Sequence, residues 1–153
     1  MKKTYTLGIG GRSVNTLFGT LTRLGLGAKY RHILTVRGRK TGKPRSTPVD
    51  VMEVDGDRWL VAPYGEVNWV RNVRSAGAVD LARGRSSEHY GIEEAIAEQS
   101  IPVIREYIRR VPVTRSHWAC GADSPDDEVA AQVSSHPVFR LTKVAAQPSR
   151  PTA

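Results

Sequence analysis

Apolar positions recur with two different periods along this chain. Val14, Leu17, Phe18, Leu21 and Leu24 fall at helical spacing, which predicts a short amphipathic helix ended by Gly25 and Gly27. The period then shortens. His32 to Arg37 carries Ile33, Leu34 and Val36, and reads as a strand. In Ser46 to Val54, Val49, Val51 and Glu53 alternate with Asp50 and Met52. Asp55-Gly56-Asp57 is a hairpin turn signal, and Arg58 to Ala62 follows as a third strand. Short turns between successive strands argue for an antiparallel sheet.

Pro63 to Glu66 reads as a loop. Asn68 is expected to cap a short helix through Arg74, stopped by Ala76-Gly77. Val79 to Ala82 and His89 to Ala97 read as two further strands joined by Arg83 to Ser87. Ile101, Ile104, Tyr107 and Ile108 predict a helix over Ile101 to Val111, and a weaker one covers Pro125 to Val133. Val138 to Val144 alternates as a closing strand. Six mostly antiparallel strands and three or four short helices predict an α+β barrel. With 153 residues and 39% hydrophobic positions, one domain over 13–144 is expected, with loose ends at 1–12 and 145–153.

Composition narrows the setting. The single cysteine, Cys120, excludes an internal disulfide and a cysteine-rich zinc site. No apolar run reaches membrane-span length, and Gly8 to Thr20 is too polar for a signal-peptide core. A cytoplasmic protein is expected. Charge is less evenly spread. Residues 1–49 hold eleven Lys or Arg and no acid, within a net charge of +8. Five of those cations crowd the segment Arg37-Gly38-Arg39-Lys40-Thr41-Gly42-Lys43-Pro44-Arg45. Like charges repel, so the density implies an anionic partner. Nucleic acid, an anionic membrane face and a phosphorylated ligand all suit it.

Two blocks narrow that choice. Leu34 to Pro48, containing Arg37-Gly38-Arg39-Lys40-Thr41-Gly42-Lys43-Pro44-Arg45-Ser46-Thr47-Pro48, resembles the first strand, loop and strand of the deazaflavin-dependent nitroreductase family. Ala62-Pro63-Tyr64-Gly65-Glu66, followed by Asn68 to Gly77, is similar to that family's cofactor-ring loop and following helix. His136-Pro137-Val138-Phe139-Arg140-Leu141 is similar to its closing strand. The resemblance implies a split β-barrel, related to FMN-binding barrels, that binds the 8-hydroxy-5-deazaflavin coenzyme F420. It also implies hydride transfer from the reduced coenzyme to nitroaromatics, quinones or other unsaturated acceptors. Better-known members carry Trp-Tyr-x-Asn at the helix start; here Trp69-Val70-Arg71-Asn72 stands instead. The acceptor is therefore not specified by the motif.

The residues and the resemblance together nominate a site. Arg39, Lys40, Lys43 and Arg45 are expected to meet the coenzyme's phosphodiester and glutamate tail, with Thr41 and the flanking glycines bringing backbone N–H groups close. Thr47 and Pro48 are expected beside the ring, and Ala62, Pro63, Tyr64 and Gly65 beneath it. Trp69 reads equally as ring flank or core anchor, and Arg71 as ligand contact or plain surface; Asn72 joins them on the helix. Tyr64 is the one candidate for a catalytic hydroxyl. Tyr107 and Trp118 are candidates for an acceptor pocket, with His117 a weaker one. No metal-ligand spacing, P-loop or Ser-His-Asp arrangement is present. FMN or haem in the same barrel, and a non-enzymatic nucleic-acid-binding module, are the alternatives. Contact of residues 14–24 with a membrane, and a homodimer, complete the expectations.

Overall fold

The computed structural model describes residues 28–144. The predicted helix over 14–24 and the two end segments lie outside the described residues. Six antiparallel strands close a barrel: β1 (Arg31–Arg37), β2 (Pro44–Val54), β3 (Asp57–Val61), β4 (Ala78–Arg83), β5 (Ser86–Glu94) and β6 (Val138–Lys143), in the order β1-β2-β3-β6-β5-β4. β1 pairs with both β2 and β4, which leaves no open edge. The expected α+β split-barrel architecture is thus the observed one. The helices are α1 (Asn68–Ala76), α2 (Ala97–Arg110) and the single-turn α3 (Asp126–Ala130), with 3-10 turns at Pro112–His117 and Ala131–Ser134.

Period-two alternation sends one face of every strand inward. Leu34, Val49, Val51, Leu60, Leu81, Phe139 and Leu141 fill the barrel, with Val70 and Val73 of α1 packed among them. Leu34, Leu60 and Val70 are fully buried, and each side chain contributes about 1.5–3 kcal/mol. Alternation alone would leave Asp50 and Met52 on the wet face of β2. Instead α2 covers that face, and a second apolar layer of Met52, Trp59, Val61, Ile104, Tyr107 and Ile108 forms beneath it. Asp50 lies there beside Arg31, whose Nε donates to Oδ1 at 2.9 Å, and Tyr107 donates to Oδ2 at 3.3 Å.

Element ends differ from expectation in two informative places. Helix α2 begins four residues before Ile101, with Pro102 inside it. Pro102 lies past the first turn, so its missing N–H removes one intrahelical bond, to the Glu98 carbonyl. The Gln99 side chain also accepts from the Ile96 amide at 3.2 Å, closing the helix start. Asn68 is not the cap of α1: Val67 holds that position, without a side-chain cap bond. The helix stop is as expected, with Gly77 left-handed (φ 71°) and its N–H on the Val73 carbonyl.

Antiparallel closure also sorts the connections by barrel end. The β1–β2 loop, the segment from β3 through α1 to β4, and the long segment from β5 to β6 all emerge at one end. Only the tight β2–β3 and β4–β5 turns lie at the other. The basic loop and the Ala62–Glu66 loop must therefore share an end, although about twenty residues separate them.

Candidate functional site

The basic loop is built to be held open. The Gly38 amide donates to the Lys43 carbonyl at 2.8 Å, and the Gly42 amide to the Gly38 carbonyl at 2.9 Å. Gly42 is left-handed (φ 71°), and the Lys43 amide bonds the Thr41 hydroxyl at 3.3 Å. Gly38 is buried, and a Cβ there would lie 3.1 Å from the Lys43 carbonyl. The amides of Lys40 and Thr41 make no backbone hydrogen bond among the described residues. Two free backbone donors between cations suit an anion.

Arg39 ties this loop to α1. Its Nη1 donates to Asn72 Oδ1 at 2.7 Å, its backbone N–H reaches the same oxygen at 3.2 Å, and Nη2 approaches Asn68 Oδ1 at 3.5 Å. Asn72 is 5% exposed, so this acceptor is fixed by the fold. The two sequence blocks thereby meet through one buried amide. With Arg39 engaged, Arg37, Lys40, Lys43, Arg45 and Arg71 stand exposed with no ion-pair partner among the described residues. On β2, Thr47 and Arg45 continue the inward face of Val49 past the barrel core, so Arg45 leans over the mouth. Pro48 lies on the outer face, opposite Ile33.

The Ala62–Glu66 loop forms the adjoining surface. The Ala62 amide donates to the Pro137 carbonyl at 3.0 Å and the Gly65 amide to the Ala62 carbonyl at 3.3 Å. Ala62 and Pro63 are buried. Gly65 has φ 84°, and a Cβ would come within 3.1 Å of the Ser135 carbonyl. Both the backbone angle and the neighbour require glycine there. Arg74 clamps the loop from α1, donating to Glu66 at 2.9 Å and to Glu94 of β5 at 2.6 Å. These bonds, that to Glu94 foremost, hold its guanidinium charged. Tyr64 is 45% exposed and meets His117 edge to face, with ring centroids 4.7 Å apart. Trp69 is half-buried and packs on Phe139 at 6.2 Å, so it serves the core on one side and leaves its other side at the barrel end. Val70 points wholly into the barrel.

Tyr107 and Trp118 lie in the buried layer between α2 and the barrel. Tyr107 holds Asp50, and burial pushes its hydroxyl pKa far up. Trp118 Nε1 donates to the Thr114 hydroxyl at 3.4 Å and stacks on His136. The residues that the sequence did not single out are Asn68 as an acceptor for Arg39, Arg74 and His136. Their signal was weak: each contact joins side chains far apart in the chain. Among the described residues no group of three or more His, Cys, Asp or Glu side chains is arranged to hold a metal ion. Nor does any described helix have the length and apolarity to cross a membrane.

A closed six-stranded antiparallel barrel flanked by short helices defines an α+β split-barrel-like fold. Residues 14–123 match the F420H(2)-dependent quinone reductase family, and the chain belongs to that family. Similar solved structures include an F420-H2 dependent reductase, FDR-A, at 20% identity, covering 74% of this chain and 94% of that one with a TM-score of 0.53. A domain-swapped dimer is similar at 19% identity over 86% of this chain and 92% of that one, TM-score 0.56. A haem-binding protein from Mycobacterium smegmatis shares the fold at 12% identity over 81% and 50%, TM-score 0.54. No curated protein matches this chain.

Proposed function

We propose that this chain is a reductase that passes hydride from reduced coenzyme F420 to an organic acceptor: a quinone, a nitroaromatic or another unsaturated compound. The observation that carries the reading is the Arg39–Asn72 tether, which sets an unpaired cationic loop beside the Ala62–Gly65 seat at one barrel end. The donor set fits the coenzyme, a polyanion with a planar ring. Lys40, Lys43 and Arg45 would hold its phosphodiester and glutamates, helped by the Lys40 and Thr41 amides, with charge-assisted bonds worth roughly 1.5–3 kcal/mol each before solvent screening. Arg71 extends the same cationic surface. Ala62, Pro63 and Gly65 would carry the ring, the backbone of Thr47 and Pro48 its flank, and Trp69 its edge. When bound, the coenzyme supplies two-electron hydride chemistry; the protein supplies orientation and charge. Tyr64 is the exposed hydroxyl of the seat and the group we assign to hold a proton beside the acceptor.

Titration with oxidised coenzyme, followed by its fluorescence, tests the reading. A saturable change at micromolar concentration is expected, and none at all overturns it. Reconstitution separates the cofactor alternatives, since FMN and haem each leave their own visible absorption. A salt-dependent shift of DNA without coenzyme binding would instead support a nucleic-acid module. The proposal includes a homodimer, by analogy with the domain-swapped relative, which sedimentation measures. It also includes contact of residues 14–24 with an anionic membrane face, which co-sedimentation with anionic vesicles measures.

A further inference from the structure

Tyr64 stands on a backbone that is held on both sides. Pro63 before it is buried, the Gly65 amide after it bonds the Ala62 carbonyl at 3.3 Å, and the Val67 amide bonds the Gly65 carbonyl at 2.9 Å. The side chain is 45% exposed and keeps its own torsions, so the place of its hydroxyl depends on what the ring rests against. That ring meets His117 with centroids 4.7 Å apart and planes at 89°. Edge to face is an arrangement that aromatic quadrupoles favour. His117 is itself exposed, at the end of the 3-10 turn that follows α2. The turn is pinned from below. Thr114 is 2% exposed, and its hydroxyl donates to the Val111 carbonyl at 2.9 Å. Trp118 is buried, donates through Nε1 to the Thr114 hydroxyl at 3.4 Å and through its amide to the Arg115 carbonyl at 3.2 Å, and stacks on His136 at 4.1 Å. Two exposed rings therefore meet from two fixed segments, and neither belongs to the apolar layers of the fold.

We propose that His117 is a positioning residue for Tyr64: its ring holds the phenol in the orientation that aims the hydroxyl at an acceptor lying on the coenzyme seat. The inference rests on the deazaflavin reading and its assignment of Tyr64. A quinone that receives a hydride also takes one proton at oxygen; Tyr64 gives that proton and water returns it. The transfer needs hydrogen-bond distance in the reacting complex, and a phenol free to turn spends most of its time elsewhere. One edge-to-face contact shifts that population about fivefold. Such a contact asks for an aromatic ring and not for a nitrogen, so phenylalanine at 117 should serve as well as histidine. The cationic loop is fixed separately, through Arg39 on Asn72, so loss of His117 should leave the grip on the coenzyme in place.

The experiment is steady-state reduction of menadione, a small quinone, by reduced coenzyme F420, with a fluorescence titration of oxidised coenzyme on each protein. The proteins are the wild type, His117→Ala, His117→Phe, Tyr64→Phe and the combination of Tyr64→Phe with His117→Ala. His117→Ala should lower kcat about fivefold, with the KM for menadione and the Kd for coenzyme little changed. His117→Phe should recover the wild-type kcat. Added to Tyr64→Phe, the loss of His117 should cost nothing further. A His117→Ala enzyme with wild-type kcat, a His117→Phe enzyme as slow as His117→Ala, or additive losses in the combined variant overturns the proposal. So does a fall in coenzyme affinity that matches the fall in kcat. Each of these results leaves the deazaflavin reading standing, as does a wild type that binds coenzyme without reducing menadione, which overturns this inference alone. Failure of the wild type to bind coenzyme overturns both. Both side chains are exposed, so the variants should keep the wild-type urea midpoint. On the unaltered protein, nuclear Overhauser contacts between the Tyr64 and His117 rings should persist when coenzyme saturates the site, and their absence overturns the proposal.

Discussion

Lys40 and Arg45 carry charge that no described acid neutralises, so their worth depends on the ligand. Replacing either by Ala should weaken coenzyme binding about tenfold while leaving the unfolding midpoint nearly unchanged, as titration and urea melts would show. Asn72 is the opposite case. It is buried and takes two hydrogen bonds from Arg39, so Asn72→Ala strands donors inside the fold. A stability loss of about 1–3 kcal/mol by urea unfolding is expected, together with weaker coenzyme binding. Gly65→Ala meets both a left-handed φ and a carbonyl at 3.1 Å. It should cost about 1–3 kcal/mol and lower affinity, since the seat must shift to accept the Cβ.

Helix α1 joins the two loops as a single unit. Its N-terminal half holds Arg39 through Asn68 and Asn72, and its last turn holds Glu66 through Arg74. Arg74→Ala should therefore loosen the Ala62–Glu66 loop without touching the cationic one. Faster hydrogen exchange at the Gly65 and Val67 amides is the expected result, with exchange at Gly38 and Gly42 unchanged. At this scale much was legible in sequence: six strands, the hairpin at Asp55-Gly56 and the Gly77 stop follow from apolar period and turn chemistry. The start of α2 was not, because the apolar period begins only at Ile101, and the turn before it is closed by the Gln99 side chain on the Ile96 amide. Nor was the true cap of α1, because Asn68 is a strong cap residue that the fold employs as an acceptor for Arg39.

For the molecule as a whole, two of the four histidines have pKa values below the ordinary one: His32, half-buried on β1, and His136, buried just before β6. Burial is the main cause of both lowered pKa values. As pH falls, the unfolded chain protonates these groups first, near the ordinary value of about 6.5, so the unfolded state is favoured. Their stabilising contribution is full above that value and is lost as pH drops toward the folded pKa values. Urea midpoints should fall between pH 7.5 and 5.5, and His136→Phe should flatten part of that slope. A further decline is expected below about 4.5, as Glu88, held low chiefly by Tyr90, takes up a proton.

The sequence by itself determined the barrel, its strand count and the family, and it nominated two loops. These features are local: apolar period, turn residues, and charge that accumulates within nine neighbouring positions. It left Trp69 balanced between core and site, and it put Tyr107 and Trp118 at an acceptor pocket. Only the tertiary structure decided that antiparallel closure brings both loops to one end, that Asn72 is their joint, and that Tyr107 and Trp118 lie in a buried layer. It alone set His136 against Trp118. Such facts depend on which distant side chains a closed barrel presses together, and no window of sequence contains both partners.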